Sequence, residues 1–245
     1  MVTQIEDWEG DVDEADVTTG NTVHVSSVIK VGAATVKFDN SQNPGGEGTQ
    51  SVRMNQVSSA PGTGCSTLFT YTSPASTFDV EVWFRTTSLG TYFYPPGDAL
   101  EGSLSGNTVF VQLTGGGDVM TFGMAGGHVL VLDPLTASGY FWLSADGNSL
   151  LPDRTGAGVW FSINTDHKLR LVGDLNTFDA YIDDVKLNNI PLPVAGPGTN
   201  PYTTIQLGVG RAGTESTWYG DFKFADSEVF IPMGPGGGVG GDPFL

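Results

Sequence analysis

The chain has 245 residues, of which 35 are glycine and 14 are proline, and only 15% of its residues carry a charge. Its 27 acidic and 10 basic residues give a formal net charge of −17, which argues against nucleic acid and against an anionic membrane surface as partners. No window shows a long apolar stripe at helical spacing, so the composition favours many short strands joined by turns.

The first segment, MVTQIEDWEGDVDEAD, is acidic and has neither the basic nor the apolar region of a signal peptide. No later stretch is apolar for long enough to span a bilayer. We therefore expect a protein made without a signal peptide and not inserted in a membrane. The acidic run offers a weak calcium site in Asp11, Asp13 and Asp16, with a solvated run as the alternative, because its spacing does not match the EF-hand loop. Asp183 and Asp184 offer a second modest candidate, and no other cofactor is expected.

Strand-like runs follow along the chain, and most alternate apolar with polar residues, as a sheet with one buried face requires. They cover residues 21–39, 49–57, 65–72, 77–87, 107–114, 118–124, 128–133, 139–145, 158–164, 167–174, 176–187, 202–210 and 218–231. In TFDVEVWFRTT the alternate apolar residues from Phe78 to Phe84 share the core face. Trp83 lies on the opposite face with Asp79, Glu81 and Arg85.

About a dozen strands exceed a comfortable single open sheet, so we expect two stacked antiparallel sheets. Residues 92–107 and 191–201, which are rich in glycine and proline, are predicted to be long loops. No step in composition divides the chain before the last strand. The sequence therefore predicts one all-β sandwich domain over residues 1–231, followed by an extended glycine-rich arm over residues 232–245.

Four stretches together resemble the concanavalin A-like, or laminin G-like, jelly-roll sandwich. They are GEGTQSVRMNQV, STFDVEVWFRTTS, GVWFSINTDHKLRLVGDLNTFDAYIDDVKLNNIPL and YGDFKFADSEVFIP. The resemblance implies a two-sheet jelly roll, and it leaves function open because that fold serves lectins, glycan-cleaving enzymes and structural modules. Asp184 stands where the family's central hairpin usually has glycine, so we expect a turn built differently.

A catalytic set is missing from the sequence. The glucanases of this superfamily carry Glu-x-Asp-x-x-Glu on one strand, and the nearest match, Glu14-Ala15-Asp16, lacks the final glutamate. There is no nucleophile elbow, and His24, His128 and His167 are far apart in the chain. We therefore expect no enzymatic activity.

The arm ends in apolar residues, which raises the question of what they bind. Val239, Pro243, Phe244 and Leu245 are predicted to dock on a neighbouring protein, with the glycines between as a tether. Together with the acidic surface and the missing signal peptide, this predicts a non-enzymatic structural protein on a bacteriophage virion surface. It would decorate a capsid or form part of a fibre, as a homo-oligomer or as part of a larger assembly.

The alternative is an extracellular, lectin-like carbohydrate-binding module, with or without calcium. In that case Trp83, Tyr92 and Tyr94 are candidates to stack on a sugar, although packing in the core or at an interface is the competing role for each. A glycan hydrolase or lyase ranks third, because no paired acids and no basic cleft are visible.

Overall fold

The computed structural model describes residues 3–9, 11–46, 48–58, 64–87, 109–115, 118–125, 128–133, 139–143, 150–151, 162–187, 192–193, 200–210 and 213–225. These ranges contain seventeen strands and no helix. The strands are β1 Thr3–Glu6, β2 Val25–Val31, β3 Thr35–Asp39, β4 Ser51–Ser58, β5 Gly64–Ala75, β6 Thr77–Thr86, β7 Val109–Gly115, β8 Asp118–Ala125, β9 His128–Asp133, β10 Gly139–Leu143, β11 Leu150–Leu151, β12 His167–Asp174, β13 Thr177–Ile182, β14 Val185–Lys186, β15 Leu192–Pro193, β16 Tyr202–Gly210 and β17 Gly213–Ala225. Among these residues no segment forms a helix of the length and apolarity needed to cross a membrane.

The strands form two antiparallel sheets. The nine-stranded sheet has the order β14-β13-β12-β6-β17-β4-β3, with β1 also paired to β17 and β15 to β13. The eight-stranded sheet has the order β11-β10-β9-β8-β7-β16-β5-β2. Strands that follow one another in the chain pair within β3-β4, β12-β13-β14 and β7-β8-β9-β10-β11, whereas β5, β6, β16 and β17 pair with strands that do not follow them directly in the chain. The predicted all-β, two-sheet antiparallel jelly-roll sandwich is confirmed.

One apolar core lies along the inward faces of the strands. On β6 the side chains of Phe78, Val80, Val82 and Phe84 are all buried, which confirms the alternation read from the sequence. Phe69 of β5 belongs to the same core cluster. Each such side chain contributes about 1.5–3 kcal/mol when it leaves water, so the register of these strands is strongly fixed by burial.

Strand β17 lies at the centre of the nine-stranded sheet and is shared by three neighbours. Its first half, Gly213–Tyr219, pairs with β4, and its second half, from Phe222 to Ala225, pairs with β1. β6 pairs along its other edge, with a register shift between Tyr219 and Phe222. β1 therefore occupies the position beside the second half of β17, where the pairing with β4 has ended.

Several details differ from the sequence-based expectation. Strand β17 begins at Gly213, five residues before the predicted run, because its polar start is held by pairing with β4. The short strand β15 lies inside the predicted loop 191–201, where Leu192 pairs with Phe178. Residues 162–164, predicted as the end of a strand, lie outside any strand, and Asn164 has a φ of 54°. The loop 92–107 and the arm 232–245 lie outside the described residues, so the domain boundary at residue 231 remains a prediction.

Candidate functional site

The outward face of the nine-stranded sheet carries mostly ionisable side chains. We call this the charged face, and its described members are Lys37, Arg53, Asp79, Glu81, Trp83, Arg85, Lys168, Arg170, Asp179, Tyr181 and Lys186. Strands β6 and β12 supply its centre, where Trp83 is paired in register with Lys168 and Glu81 with Arg170. Every second residue of these strands faces the core, so strand alternation places these side chains on the other side.

Four of these side chains are almost fully buried although they face away from the core. Asp79, Glu81, Lys168 and Arg170 each expose 5% or less of their surface. Removing a charge from water is costly unless partners replace the lost hydration. These four side chains therefore form a buried polar cluster on the outward side of the sheet.

The centre of this cluster is a two-pronged ion pair between Arg170 and Asp79. Arg170 donates from Nε to Asp79 Oδ1 at 2.9 Å and from Nη2 to Oδ2 at 2.6 Å. Burial on its own lowers the pKa of Arg170. The hydrogen bond and charge of Asp79, with smaller contributions from Glu81 and Tyr181, outweigh burial and raise that pKa. The guanidinium is therefore fixed both in charge and in orientation.

Trp83 lies beside this pair and is half-buried. The ammonium group of Lys168 lies 5.5 Å from the centre of the Trp83 ring, a cation–π contact, and forms an ion pair with Asp184 at 2.5 Å. Gly45 packs directly on the indole, because a Cβ added at Gly45 would lie 2.6 Å from Trp83 Cγ. The predicted position of Trp83, on the face opposite the core, is confirmed, and its ring is held from more than one side.

Next to Trp83 a second group of polar side chains is locked together. Arg85 donates from Nε to Asp166 Oδ1 at 2.6 Å and from Nη1 to Gln42 Oε1 at 2.5 Å. Asp166 also accepts a hydrogen bond from the backbone N–H of Gly45 at 3.4 Å. The side chains of Arg85 and Asp166 remain 30% and 31% exposed. We call Gln42, Gly45, Trp83, Arg85, Asp166, Lys168 and Asp184 together the Trp83 patch, because their contacts form one connected set that solvent reaches.

The remaining described cations of the charged face are also paired. Arg53 binds Asp39 at 2.8 Å and Glu14 at 2.5 Å, and Lys37 lies 3.4 Å from Glu14. At the far edge, Lys186 binds Asp179 at 2.8 Å. Arg53 is the main reason that the pKa of Glu14 is lowered. The face is thus a set of opposite charges in contact rather than a basic surface.

The turn that carries Asp184 is built without glycine. Asp183 and Asp184 have φ values of 50° and 67°, a left-handed conformation that aspartate tolerates better than most residues. Asp183 accepts hydrogen bonds from Lys168 N at 2.8 Å and bonds His167 Nδ1 at 2.7 Å. The N–H of Ser162 donates to His167 Nε2, so the proton of a neutral His167 is on Nδ1. Asp183 and Asp184 form a two-residue loop between Ile182 and Val185 with φ above zero at both positions, as in hairpin turns that use glycine. The expectation of a turn built differently is therefore wrong, because aspartate adopts the conformation that glycine would have. The two aspartates hold the edge of the Trp83 patch.

The acidic residues proposed for calcium bind separate partners. Asp11 accepts hydrogen bonds from Val12 N and from the Asn21 amide, Asp13 accepts one from Asn40 N at 2.9 Å, and Asp16 lies 3.4 Å from Lys30. Within the described part of the chain, no three histidine, cysteine, aspartate or glutamate side chains are grouped so that they could hold a metal ion. The structure of these ranges therefore adds no support for calcium at Asp11, Asp13 and Asp16 or at the hairpin.

The other predicted site residues are placed only in part. Tyr92 and Tyr94, and the arm residues Val239, Pro243, Phe244 and Leu245, lie outside the described residues, so sugar stacking by the first two and docking by the arm stay predictions. Cys65 is buried. The two acids of the weak glucanase match, Glu14 and Asp16, bind different cations and do not form a carboxylate pair.

Strand alternation predicts that Asp79 and Glu81 face outward, but it does not predict the cluster that they form. A signal was present, since DVEVWFR and HKLRL both alternate and put a charge at every outward position except that of Trp83. The sequence pattern does not show that β6 and β12 are neighbours in the sheet. Arg170 and Asp79 are 91 residues apart, and only their register shows the pair.

Comparisons with known proteins support the fold. No protein-family model matches the chain, and no curated protein matches it either. Among solved structures it is similar to the cellulose induced protein Cip1, with a TM-score of 0.60 and 12% identity over 91% of this chain and 97% of that one. It is also similar to the alginate lyase Aly36B, with a TM-score of 0.52 and 9% identity over 91% and 96% of the two chains. At these identities the likeness shows the shared jelly-roll sandwich and nothing finer.

Proposed function

We propose that this protein is a carbohydrate-binding β-sandwich whose ligand lies on the Trp83 patch. The observation that carries the proposal is the cluster of buried and half-buried polar groups on the charged face, on the side of the sheet turned away from the core. A sugar hydroxyl both donates and accepts hydrogen bonds, and a sugar ring has apolar C–H faces. Fixed carboxylates, a guanidinium, an amide and an indole in one patch are complementary to both properties.

The patch is organised before any ligand arrives. Arg85 is held by Asp166 and Gln42, and Lys168 is held by Asp184 and Trp83. Side chains that are already ordered lose little conformational entropy on binding, which favours the recognition of small polar ligands. The partial exposure of Arg85 and Asp166 leaves hydrogen-bonding atoms within reach of solvent.

The fold neighbours agree with this proposal in their names. One is called a cellulose induced protein and the other an alginate lyase, so both names refer to polysaccharides. The predicted display on a virion surface depends on the arm 232–245, and no contact of the described residues favours it. We therefore place the lectin-like alternative above it.

The proposal is for binding without catalysis. In the described residues, both oxygens of Asp79 are engaged by Arg170, and Glu14 is engaged by Arg53. A glycosidase needs one carboxyl group that can donate a proton and a second that can attack or activate water. Neither Asp79 nor Glu14 is held in a way that leaves it available for such a role.

A matched pair of variants tests the site. The side chains of Arg85 and Lys30 are 30% and 33% exposed, and each pairs with an aspartate, but Lys30 is on the eight-stranded sheet. The wild-type protein is first screened against a panel of neutral and acidic oligosaccharides, and the tightest binder is then titrated by calorimetry. We expect Arg85→Ala to weaken binding by about tenfold or more and Lys30→Ala to leave it unchanged. Equal effects of the two variants, or no binding to any glycan of the panel, would refute the proposal.

A further inference from the structure

We infer that the Trp83 patch selects uncharged glycans and discriminates against chains that carry carboxylate or sulfate groups. This inference rests on the proposed function and names the ligand class of that site. It follows from how the cations of the charged face are used, since a guanidinium or ammonium that is already neutralised by a carboxylate has little attraction left for an anionic ligand.

Every cation whose side chain is described on this face has an acidic partner in contact. The pairs are Lys37 with Glu14, Arg53 with Glu14 and Asp39, Arg85 with Asp166, Lys168 with Asp184, Arg170 with Asp79, and Lys186 with Asp179. Glu81 adds one more carboxylate beside Arg170. Six cations are thus set against seven carboxylates, and these described side chains carry no positive excess.

The guanidinium of Arg85 already donates hydrogen bonds to two neighbouring side chains. Its Nε proton is directed at Asp166 and one Nη1 proton at Gln42, so the fork that would grip a carboxylate is already occupied on two sides. A uronate entering here would lie close to the carboxylate of Asp166, and like charges repel strongly near a partly buried surface. A hydroxyl group meets no such penalty, because it can donate to Asp166 while accepting from a remaining N–H of Arg85.

The long-range field acts in the same direction. The chain has a formal net charge of −17, so a polyanion is repelled before it reaches any site. Proteins that bind acidic chains usually counter this with a local excess of cations. Six of the chain's ten lysines and arginines have described side chains on the charged face, and each of these six is paired with a carboxylate.

The first test compares two classes of ligand on the wild-type protein. Neutral gluco-, xylo-, manno- and galacto-oligosaccharides are set against oligouronates and sulfated oligosaccharides of similar length, at about 0.01 M salt, where screening is weak. We expect the best neutral ligand to bind at least about tenfold more tightly than any acidic one. Tighter binding of an acidic oligosaccharide would overturn the inference while leaving the proposed function in place. Binding of neither class would refute the proposed function itself.

The second test changes the pairing directly. Asp166→Asn keeps the shape of the side chain but leaves Arg85 without its carboxylate, and Asp16→Asn does the same for Lys30 on the other sheet. Both variants change the net charge by the same amount. We expect Asp166→Asn to raise the affinity for an oligouronate by about tenfold, in a salt-dependent way, and Asp16→Asn to leave it unchanged. Equal responses of the two variants would show that only net charge matters and would overturn the inference. If Asp166→Asn does not fold, Asp184→Asn repeats the test, because it removes the carboxylate that pairs with Lys168.

Discussion

Removing one partner of the Arg170–Asp79 pair is expected to destabilise the sandwich strongly. In Asp79→Asn the guanidinium keeps its charge but faces a neutral amide, whose oxygen can accept only part of what two carboxylate oxygens accept. Both side chains are 1% exposed, so water does not restore the lost contacts. Breaking a buried pair from one side costs about 3–5 kcal/mol, and because asparagine keeps one acceptor we expect about 3 kcal/mol.

The assay is equilibrium unfolding in urea, with a neighbouring ion pair as control. Lys186 and Asp179 form a pair on the same face at a similar distance of 2.8 Å, but their side chains are 42% and 30% exposed. Asp179→Asn should therefore cost about 0–1 kcal/mol. A cost for Asp79→Asn as small as that of Asp179→Asn would refute the reasoning.

Two further predictions concern a glycine and a buried acid. Gly45→Ala should lower the unfolding free energy by about 1–3 kcal/mol and alter tryptophan fluorescence, because the new methyl group would meet the Trp83 ring. Gly46 also has a positive φ but lies in open space. Gly46→Ala should therefore lower the unfolding free energy by about 1 kcal/mol and leave the fluorescence unchanged. The pKa of Glu6 is raised, chiefly by burial and against backbone hydrogen bonds that lower it, so its stabilising contribution is complete below its unfolded pKa and falls as pH rises through the raised folded value. Glu6→Gln should therefore gain stability relative to wild type as pH rises above the ordinary glutamate pKa of 4.5, measured by urea titrations, and a relative loss over that rise would contradict the assigned shift.

The local periodicity of the sequence predicted most of the fold. The strict alternation of TFDVEVWFRTT placed Phe84 in the core and Trp83 on the outer face, as the structure has them. Strand β1 was missed because four residues give too short a pattern, and it forms only because the second half of β17 lacks β4 as a neighbour. Tertiary pairing here created an element that local propensity does not specify.

The candidate site was less accessible to sequence reasoning than the fold. Arg85 and Asp166 are 81 residues apart, and Gln42 reaches the same group from a loop. Alternation shows which face a side chain occupies but not which strand lies beside it. The sequence alone therefore shows these carboxylates only as part of a general acidic surface, and it does not show that they neutralise the cations beside them.

The position of β17 has a consequence for how the chain assembles during synthesis. Residues 213–225 form the strand between β6 and β4, and they also pair with β1. Three strands from residues 3–86 therefore lack this partner until residues 213–225 have been synthesised. Until that partner is available, two long strand edges with alternating apolar residues remain open, and such edges are prone to pair with other chains. Closure over such sequence distances is slow, so we expect folding to be rate-limited by the insertion of this strand and to be sensitive to chaperones that cover exposed edges.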